Sequence, residues 1–380
     1  MASDRARVVI VGAGRTGLSI GRQLRDDGRY LPVFVEPVED ASRQCLSAGF
    51  DILEGSGTDK AFMERALAGA TAVVVAAPEF VAVPVAETAR QAQCHYVDVV
   101  ESPSVNAQIE SVAESAASSF VPGCGLAPGY VAAMADEAIR EAGHRGAVKV
   151  YVGVLPVHRT NRLGYGNIWS IDGLVTEYTS PCQAIVGGSQ ATLPPLSEYE
   201  SLTIGGTSME AFTTAGSLDR LMERLEGAVG SLVFKTLRFP GHLDYMKFLI
   251  DDLGFGERVN SLKNLLRNGL PTVEDDIIVL GVIWKSGQGD AGGGRRRERS
   301  HFQFIRSARR GDGSVESAVS LATAAHTCSV VDFLCGGVAR PAGLLHPDTI
   351  GLEALAESPF FRVLETSWTP MTQQETFQDQ

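Results

Sequence analysis

Residues Arg7 to Leu24 read RVVIVGAGRTGLSIGRQL, and this stretch decides the fold of the chain. Its first part, Val8 to Val11, is a run of β-branched residues, which is typical of a strand buried on both faces. Gly12, Gly14 and Gly17 follow at G-x-G-x-x-G spacing, and apolar residues then recur as on one face of a helix. A glycine turn between a strand and a helix is the context in which this spacing predicts dinucleotide binding.

Each residue of the turn has a predicted role toward the cofactor. Gly12 permits the tight turn, Gly14 lets the backbone approach a pyrophosphate, and Gly17 lets the helix pack on the strand. The pyrophosphate is expected at the helix N-terminus, where free N–H groups and the helix dipole attract negative charge. Arg15 and Thr16 lie between these glycines and are predicted to contact the cofactor as well.

An acid after the second strand indicates which dinucleotide is bound. Glu36 follows the strand Leu31 to Val35 and lies about 20 residues after the turn, where an acid binds the ribose hydroxyls. Because a carboxylate repels a 2′-phosphate, NAD is favoured over NADP. Arg43 lies a few residues further on and can soften this preference. A Rossmann-like fold without any cofactor is the alternative.

Later strand ends supply further candidate contacts, because open α/β sheets bind ligands outside the carboxyl ends of their strands. The strand Thr71 to Ala77 (TAVVVAA) is ended by a proline. Ala76, Ala77 and Pro78 are therefore predicted to lie beside the cofactor.

Two aspartates in the same region each allow two interpretations. Asp59 opens the helical segment TDKAFMERAL and is either its N-cap or a residue near the adenosine end of the cofactor. Asp98 lies in the strand His95 to Val99 (HYVDV) and is either a cap or turn residue or part of the active site.

The composition and charge of the chain indicate which class of protein it belongs to. The chain has 380 residues, 44% of them hydrophobic, which favours a globular protein of two domains. The net charge of −12 and the pI of about 5.1 argue against a nucleic-acid partner. No membrane span and no secretory signal are predicted. Six scattered cysteines without a C-x-x-C pair indicate neither a metal site nor disulfides, so a cytoplasmic protein is expected.

The pattern changes in the second half of the chain. The segment Pro122 to Tyr130 (PGCGLAPGY) marks a domain crossing by its density of glycine and proline. Apolar residues alternate over Val150 to Val154 and over Val175 to Tyr178, which predicts strands with one buried face. Asp276 to Lys285 and Ser300 to Arg306 are further predicted strands.

Two segments near the C-terminus have less specific patterns. The basic, glycine-rich loop 287–299 is either a mobile hairpin tip or a lid or oligomer contact. Ser317 to Cys335 is a long apolar helix that is expected to pack back on the first sheet. His326 within it is interpreted as a core histidine rather than a catalytic residue.

Several segments together resemble the saccharopine dehydrogenase family, and within it the lysine 6-dehydrogenases. These segments are GLAPGY (125–130), GVLPVHRTNRLGYGNIWSIDGLVTEYTSP (153–181), LPPLSEYE (193–200), MEAFTTAGS (209–217) and FKTLRFPGH (234–242). The resemblance implies an N-terminal Rossmann domain, a mixed α/β catalytic domain that often supplies a dimer interface, and C-terminal helices. Ala127 departs from the family pattern, which has Asp in GLDPG.

The predicted fold is therefore α/β, with a Rossmann doubly wound parallel sheet and a second α/β catalytic domain built on a mixed sheet. The predicted boundaries are 1–124 for the NAD-binding domain, 125–325 for the catalytic and dimerisation domain, and 326–380 for C-terminal helices that pack back on the first domain. A homodimer that binds a small amino-acid substrate is expected.

One departure separates two branches of the family. Fungal saccharopine reductases have an arginine, suited to a substrate carboxylate, in the segment that reads Trp169-Ser170-Ile171-Asp172-Gly173 here. Asp172 would repel a second carboxylate and attract an ammonium group. Lysine 6-dehydrogenases have a similar acidic pattern. The alternative is that Asp172 is only a turn residue before Gly173.

The resemblance implies NAD-dependent oxidation of the side-chain amine of lysine, or of a close analogue, to an iminium that water hydrolyses to an aldehyde and ammonia. A base is needed, because a free lysine amine has a pKa near 10.4. The candidates are Asp98, His242 and Asp172. His242 follows Pro240-Gly241 at a strand end, and an imidazole titrates near neutrality; a capping or hinge role is its alternative.

Other residues are candidates for substrate binding. Lys235 and Arg238 lie on one predicted strand at odd spacing and point to opposite faces, so that one of them binds the α-carboxylate. The turn with Thr213 and Thr214 is a second carboxylate site, and Tyr165 and Trp169 would form the walls of the pocket. Two rival functions remain: a saccharopine-type reductase that forms or cleaves a secondary amine, and a non-catalytic NAD-binding scaffold or sensor.

Overall fold

The computed structural model describes residues 5–143, 145–216, 218–286, 298–336 and 340–365, and the backbone of 368–369. The chain divides into two compact units, Met1–Ala133 with Ser320–Glu365 and Met134–Val319 with Thr366–Gln380. The sequence prediction placed these divisions at 124/125 and 325/326. Most of the basic loop 287–299 lies outside the described residues.

The strands are β1 (Ala6–Val11), β2 (Tyr30–Glu36), β3 (Asp51–Glu54), β4 (Ala72–Val75), β5 (His95–Asp98), β6 (Ser119–Val121), β7 (Ala147–Pro156), β8 (Cys182–Val186), β9 (Ser189–Leu193), β10 (Glu200–Ile204), β11 (Thr207–Thr213), β12 (Ser231–Arg238), β13 (Asp276–Lys285), β14 (Glu298–Arg306), β15 (Ala308–Arg309), β16 (Val315–Glu316), β17 (Gly343–Leu344) and β18 (Trp368–Thr369).

The α-helices are α1 (Arg15–Asp27), α2 (Glu39–Ser47), α3 (Lys60–Leu67), α4 (Ala82–Ala92), α5 (Pro103–Ala113), α6 (Val131–Ala142), α7 (Ile171–Thr179), α8 (Asp219–Leu225), α9 (His242–Lys247), α10 (Val259–Gly269), α11 (Ala318–Cys335), α12 (Pro347–Ile350), α13 (Leu352–Ala356) and α14 (Arg362–Glu365). Short 3-10 or π turns occupy Glu79–Val81, Leu126–Tyr130, Phe248–Asp252, Phe255–Glu257 and Pro359–Phe361.

The first unit is built on a seven-stranded sheet in the order β17-β6-β5-β4-β1-β2-β3. All of its neighbouring strands are parallel, and the order reverses between β1 and β4, where such sheets bind their ligands. The apolar run of β1 is buried on both faces, as its β-branched residues indicate. The predicted Rossmann sheet is thus confirmed, with β17 as an additional edge strand.

Helix α11 belongs to this first unit and packs on α1. Gln23 Nε2 donates to the Leu321 carbonyl at 3.2 Å, and Cys328 Sγ lies 3.7 Å from the Ile20 carbonyl. By length and composition alone α11 could cross a membrane, but 78% of it is buried inside the protein, as in a core helix. His326 is fully buried, and its Nδ1 lies 2.8 Å from the Cys124 carbonyl.

The second unit contains a mixed sheet in the order β10-β11-β12-β7-β13-β14-β18, to which β8 and β9 attach beside β12. Strands β7 and β12 are parallel, and β11, β13 and β14 pair antiparallel with their neighbours. This confirms the predicted mixed sheet. Because β7 and β12 run in the same direction, the segments that follow them, beginning at Val157 and Phe239, leave the same edge of the sheet.

The strand predicted over Val175 to Tyr178 is wrong, because these residues belong to helix α7. Ser170 caps the helix by accepting a hydrogen bond from the Gly173 N–H at 3.1 Å. Its buried residues are spaced by three or four positions: Ile171, Leu174, Val175 and Tyr178. An alternation over four residues is too short to outweigh this helical period.

Candidate functional site

The glycine turn of the first unit has the shape that a dinucleotide requires. Gly12 has a φ of +105°, and a Cβ there would lie 2.3 Å from the Ala76 carbonyl oxygen. A Cβ on Gly17 would lie 2.0 Å from the Gly12 carbonyl oxygen. In contrast, a Cβ on Gly14 would meet nothing within 4 Å. The turn is therefore closely packed behind Gly14 and open in front of it, at the first turn of α1, which fits a pyrophosphate.

Glu36 links this turn to the end of β2. Its side chain accepts hydrogen bonds from the Ala13 N–H at 2.8 Å and from the Val38 N–H at 3.0 Å. A carboxylate thus lies beside the glycine turn, where the ribose of the cofactor is expected. Arg43 forms exposed ion pairs with Glu39 at 3.2 Å and Asp40 at 3.1 Å, so local carboxylates already balance its charge.

The other predicted residues of the first unit also follow its strand ends. Asp59 caps α3 by accepting from the Phe62 N–H at 3.0 Å. Asp98 is fully buried, and its Oδ1 accepts from the N–H groups of Val100 and Gly123, each at 2.9 Å. Both aspartates therefore have structural roles; roles in ligand binding or catalysis stay predictions. The carboxyl edge of the sheet or the first turn of α1 contains Gly12, Gly14, Arg15, Thr16, Gly17, Glu36, Ala76, Ala77, Pro78 and Asp98.

The second unit contains a buried chain of hydrogen bonds that joins α7, β12 and α9. Arg238 Nε donates to the Tyr178 hydroxyl oxygen at 2.8 Å, and this hydroxyl lies 2.9 Å from His242 Nε2. His242 Nδ1 lies 3.0 Å from the Leu163 carbonyl oxygen. Arg238, Tyr178 and His242 are each at most 2% exposed.

These contacts determine the protonation of His242. A carbonyl oxygen only accepts, so Nδ1 carries the proton toward Leu163 and Nε2 accepts from the Tyr178 hydroxyl. Burial, and then the neighbouring Arg238 charge, lower the pKa of His242 to about 3. The imidazole is therefore neutral with both nitrogens engaged, which suits a positioning role better than that of a general base.

Arg238 is a buried charge with no carboxylate within ion-pair distance in the part of the chain that the structure describes, and the Glu177 charge acts on it at longer range. Its Nη1 donates to the Leu237 carbonyl at 2.9 Å, and its guanidinium lies 4.7 Å from the centroid of the Tyr165 ring. Trp169 Nε1 donates to the Tyr165 hydroxyl at 2.8 Å and fixes that ring. A guanidinium held only by tyrosines and a carbonyl is suited to bind an anion, because burying it unpaired is costly.

The other basic candidate, Lys235, has a partner. Its Nζ lies 2.7 Å from Glu200 Oε1, and Lys149 binds the same oxygen. Since it already forms an ion pair with Glu200, Lys235 is a weaker candidate for a substrate carboxylate than Arg238. Thr213 and Thr214 are also engaged: the Thr213 hydroxyl donates to the Pro194 carbonyl at 2.8 Å, and Thr214 Oγ1 lies 2.8 Å from Thr236 Oγ1.

The structure places Asp172 outside the Arg238 cluster. Its carboxylate pairs with Lys263 at 3.2 Å and with Arg267 at 3.0 Å, which connects the first turn of α7 to α10. The hydrogen bond from Lys263 is the main cause that holds the pKa of this carboxyl below its usual value. Asp172 thus interacts with two protein cations and not, as expected, with a substrate ammonium group.

Sequence reasoning missed two residues of this site, Tyr178 and Glu210. Glu210 on β11 is buried; its carboxylate accepts from the N–H groups of Gly241 at 3.0 Å and Leu243 at 2.6 Å, on either side of His242. Tyr178 could have been found, as a buried residue, from its helical spacing with the other buried residues of α7. No local pattern indicates the second, because Glu210 lies more than 30 positions before the helix that it caps.

Two family models match the chain: the saccharopine dehydrogenase C-terminal domain over residues 125–366 and the TrkA-N domain over residues 8–114. Among solved structures, the saccharopine dehydrogenase (L-Glu forming) of Saccharomyces cerevisiae is similar, with a TM-score of 0.77, 14% identity, and coverage of 96% of this chain and 99% of that one. The match to GenD2 from gentamicin A biosynthesis, in complex with NAD, has a TM-score of 0.42 and 13% identity over 97% of each chain. Since the first model alone spans well over half of the chain, this protein belongs to the saccharopine dehydrogenase family of NAD(P)-binding oxidoreductases.

Proposed function

We propose that the protein is an NAD-dependent oxidoreductase that oxidises the side-chain amine of L-lysine, or of a close analogue, to an aldehyde with release of ammonia. The observation that carries this proposal is the buried Arg238, which has no carboxylate within ion-pair distance among the described residues. An amino acid supplies that carboxylate, and charged hydrogen bonds to a guanidinium are strong and directional.

NAD is the proposed cofactor, and it would accept the hydride from the carbon that bears the amine. Glu36 supports NAD over NADP, because a 2′-phosphate near its carboxylate would be repelled. The ion pairs of Arg43 with Glu39 and Asp40 support the same preference, since they occupy the cation that could attract the phosphate.

The protein's own groups would bind and deprotonate the amino acid. Arg238 would hold the α-carboxylate, and Tyr165 and Tyr178 would hold the guanidinium in place. Among the three candidate bases, His242 is neutral with both nitrogens engaged and Asp172 is ion-paired. Asp98 is therefore the preferred base, because it ends β5 at the carboxyl edge of the first sheet.

A saccharopine-type reductase is the second candidate, and the surroundings of Asp172 favour it. The argument against a substrate with a second carboxylate was repulsion by Asp172. Lys263 and Arg267 neutralise that charge, so the repulsion is weak. Cleavage or formation of a secondary amine between an amino acid and a carbonyl compound is thus compatible with the same site.

The test is the absorbance of the reduced nicotinamide, measured with NAD or NADP and a panel of amino acids that includes lysine and saccharopine. Turnover of lysine with NAD, and not of saccharopine, is the expected result. Turnover of saccharopine alone would establish the second candidate. If the protein bound NAD but turned over neither substrate in either direction, the non-catalytic scaffold would replace both.

A further inference from the structure

We infer that Glu210 is a positioning residue for Arg238, and that it acts through helix α9, His242 and Tyr178. Nothing in the sequence assigns a role to Glu210. The inference rests on the proposed function in one respect, namely that Arg238 binds the carboxylate of an amino acid.

The strand register places Glu210 beside Arg238. The two residues are direct partners in the antiparallel pair of β11 and β12, so their side chains leave the sheet on the same face. A glutamate and an arginine that are buried side by side would ordinarily form an ion pair, since each charge is costly to bury alone. No such pair forms here.

Backbone amides hold the Glu210 carboxylate instead. Oε2 accepts from the Gly241 N–H and Oε1 from the Leu243 N–H, so the carboxylate caps the start of α9 across the sheet. Both oxygens are thus directed toward the helix. The Arg238 guanidinium is thus left without a carboxylate within ion-pair distance among the described residues, and it can pair with the carboxylate of a ligand.

The cap also fixes the residues that orient Arg238. His242 is the first residue of α9 and lies between the two capped N–H groups. Its imidazole is held at Nδ1 by the Leu163 carbonyl and at Nε2 by the Tyr178 hydroxyl, which in turn accepts from Arg238 Nε. The hydrogen bonds therefore all run in one direction: Arg238 donates to Tyr178, Tyr178 donates to His242, and His242 donates to the Leu163 carbonyl. Loss of the cap would free α9 and, through His242 and Tyr178, the guanidinium.

Glu210→Gln and Tyr178→Phe test this chain with little change of volume. The exposed residues Glu223 and Tyr199 provide matched controls, Glu223→Gln and Tyr199→Phe. The measurement is the Kd, by calorimetry in the presence of NADH, which cannot oxidise the amine, of two probes: L-lysine and cadaverine, which differ by the carboxylate. The melting temperature of each variant shows whether it is folded.

We expect both site variants to weaken lysine binding about fivefold to tenfold, as for the loss of one hydrogen bond of ~1–1.5 kcal/mol. Cadaverine binding and both control variants should be unchanged. If both probes weaken equally, or if lysine binding stays as in the wild type in a folded variant, the inference is wrong. Should Glu210→Gln fail to fold, Tyr178→Phe still tests the link from His242 to Arg238, and an unchanged Kd for lysine in that variant would overturn the inference.

A spectroscopic measurement separates this inference from the proposed function. The ¹⁵N resonances of His242 should show a proton on Nδ1 only, and Glu210→Gln should broaden or shift them. If no amine is turned over but the carboxylate-dependent binding and these resonances change as expected, the proposed function fails and the inference stands. Unchanged resonances in the Glu210 variant would overturn the inference even in an active enzyme.

Discussion

In the proposed function, Arg238 would bind the substrate carboxylate at the expense of protein stability. Burying a charge costs several kcal/mol, and Arg238 has no ion-pair partner among the described residues to offset that cost. We therefore predict that Arg238→Met leaves the free energy of unfolding unchanged or higher. The same variant should raise KM for lysine about tenfold to a hundredfold, as for loss of a charged hydrogen bond of ~1.5–3 kcal/mol. Denaturant unfolding checks the predicted stability, and steady-state kinetics check the predicted KM. A large loss of stability with unchanged KM would make Arg238 a structural residue.

Asp172 is expected to matter little for the substrate. Its carboxylate is 58% exposed and already pairs with Lys263 and Arg267. Exposed ion pairs contribute about 0–1 kcal/mol each. Asp172→Asn should therefore lower the stability slightly and leave KM for lysine within about twofold, which is close to the noise of one such measurement. A tenfold rise in KM would return Asp172 to the site.

His326 should contribute to the pH dependence of stability. Burial lowers its pKa to about 4, from an ordinary value near 6.5. Between pH 6.5 and 4 the unfolded chain binds a proton that the folded protein does not, so stability falls as the pH falls through this range. The contribution approaches about 1.4 kcal/mol per pH unit.

The variant His326→Asn isolates that contribution. Urea unfolding of the wild type and of the variant at several pH values between 4 and 7 should give a shallower pH dependence for the variant. Parallel curves would mean that His326 does not titrate as its burial indicates.

Site residues were predictable where their own segment marks them. Arg238 was a candidate because it is a basic residue on the same predicted strand as Lys235, and Glu36 because it ends β2. The helical spacing of Tyr178 marks it as buried, but not as a site residue, since its partner Arg238 lies 60 positions away. That contact depends on the packing of α7 on the sheet, which no local pattern encodes.

In the glycine turn, two substitutions are expected to affect protein stability and NAD binding separately. Gly17→Ala should destabilise the first unit by about 1–3 kcal/mol, as overpacking does, because its Cβ would lie 2.0 Å from the Gly12 carbonyl oxygen. Gly14→Ala should fold normally, since its Cβ meets no protein atom within 4 Å. It should nevertheless weaken NAD binding at least about tenfold, or ~1.4 kcal/mol, by filling the space of the pyrophosphate.

Thermal unfolding and NAD titration of these two variants provide the check. If Gly14→Ala bound NAD as the wild type does, the dinucleotide would not lie on this turn.

Helices and strands were predictable where their hydrophobic pattern, helical or alternating, continues over many residues. The strands β1 and β13 are long and rich in β-branched residues, and both were predicted correctly. Strand β4 is short, but three of its four buried residues are valines, and it was predicted as well. Helix α7 was misread because the alternation considered covered only four residues. Strand β17 pairs with β6 over two residues, too few to leave a periodic signal.

At the scale of the whole molecule, the proposed function gives the two units separate tasks. The parallel sheet has the glycine turn and Glu36, which would bind a dinucleotide, and the mixed sheet has Arg238, which would bind a carboxylate. Family membership explains why one chain contains both. The homodimer and the cytoplasmic location stay predictions; light scattering of the purified protein would measure the first.

A crystal structure of the protein with NAD and L-lysine tests the central claim most directly. The account predicts the pyrophosphate at the first turn of α1 in front of Gly14, the ribose hydroxyls on Glu36, and the lysine carboxylate within hydrogen-bond distance of the Arg238 guanidinium. A carboxylate bound elsewhere, with Arg238 still surrounded only by protein, would contradict it.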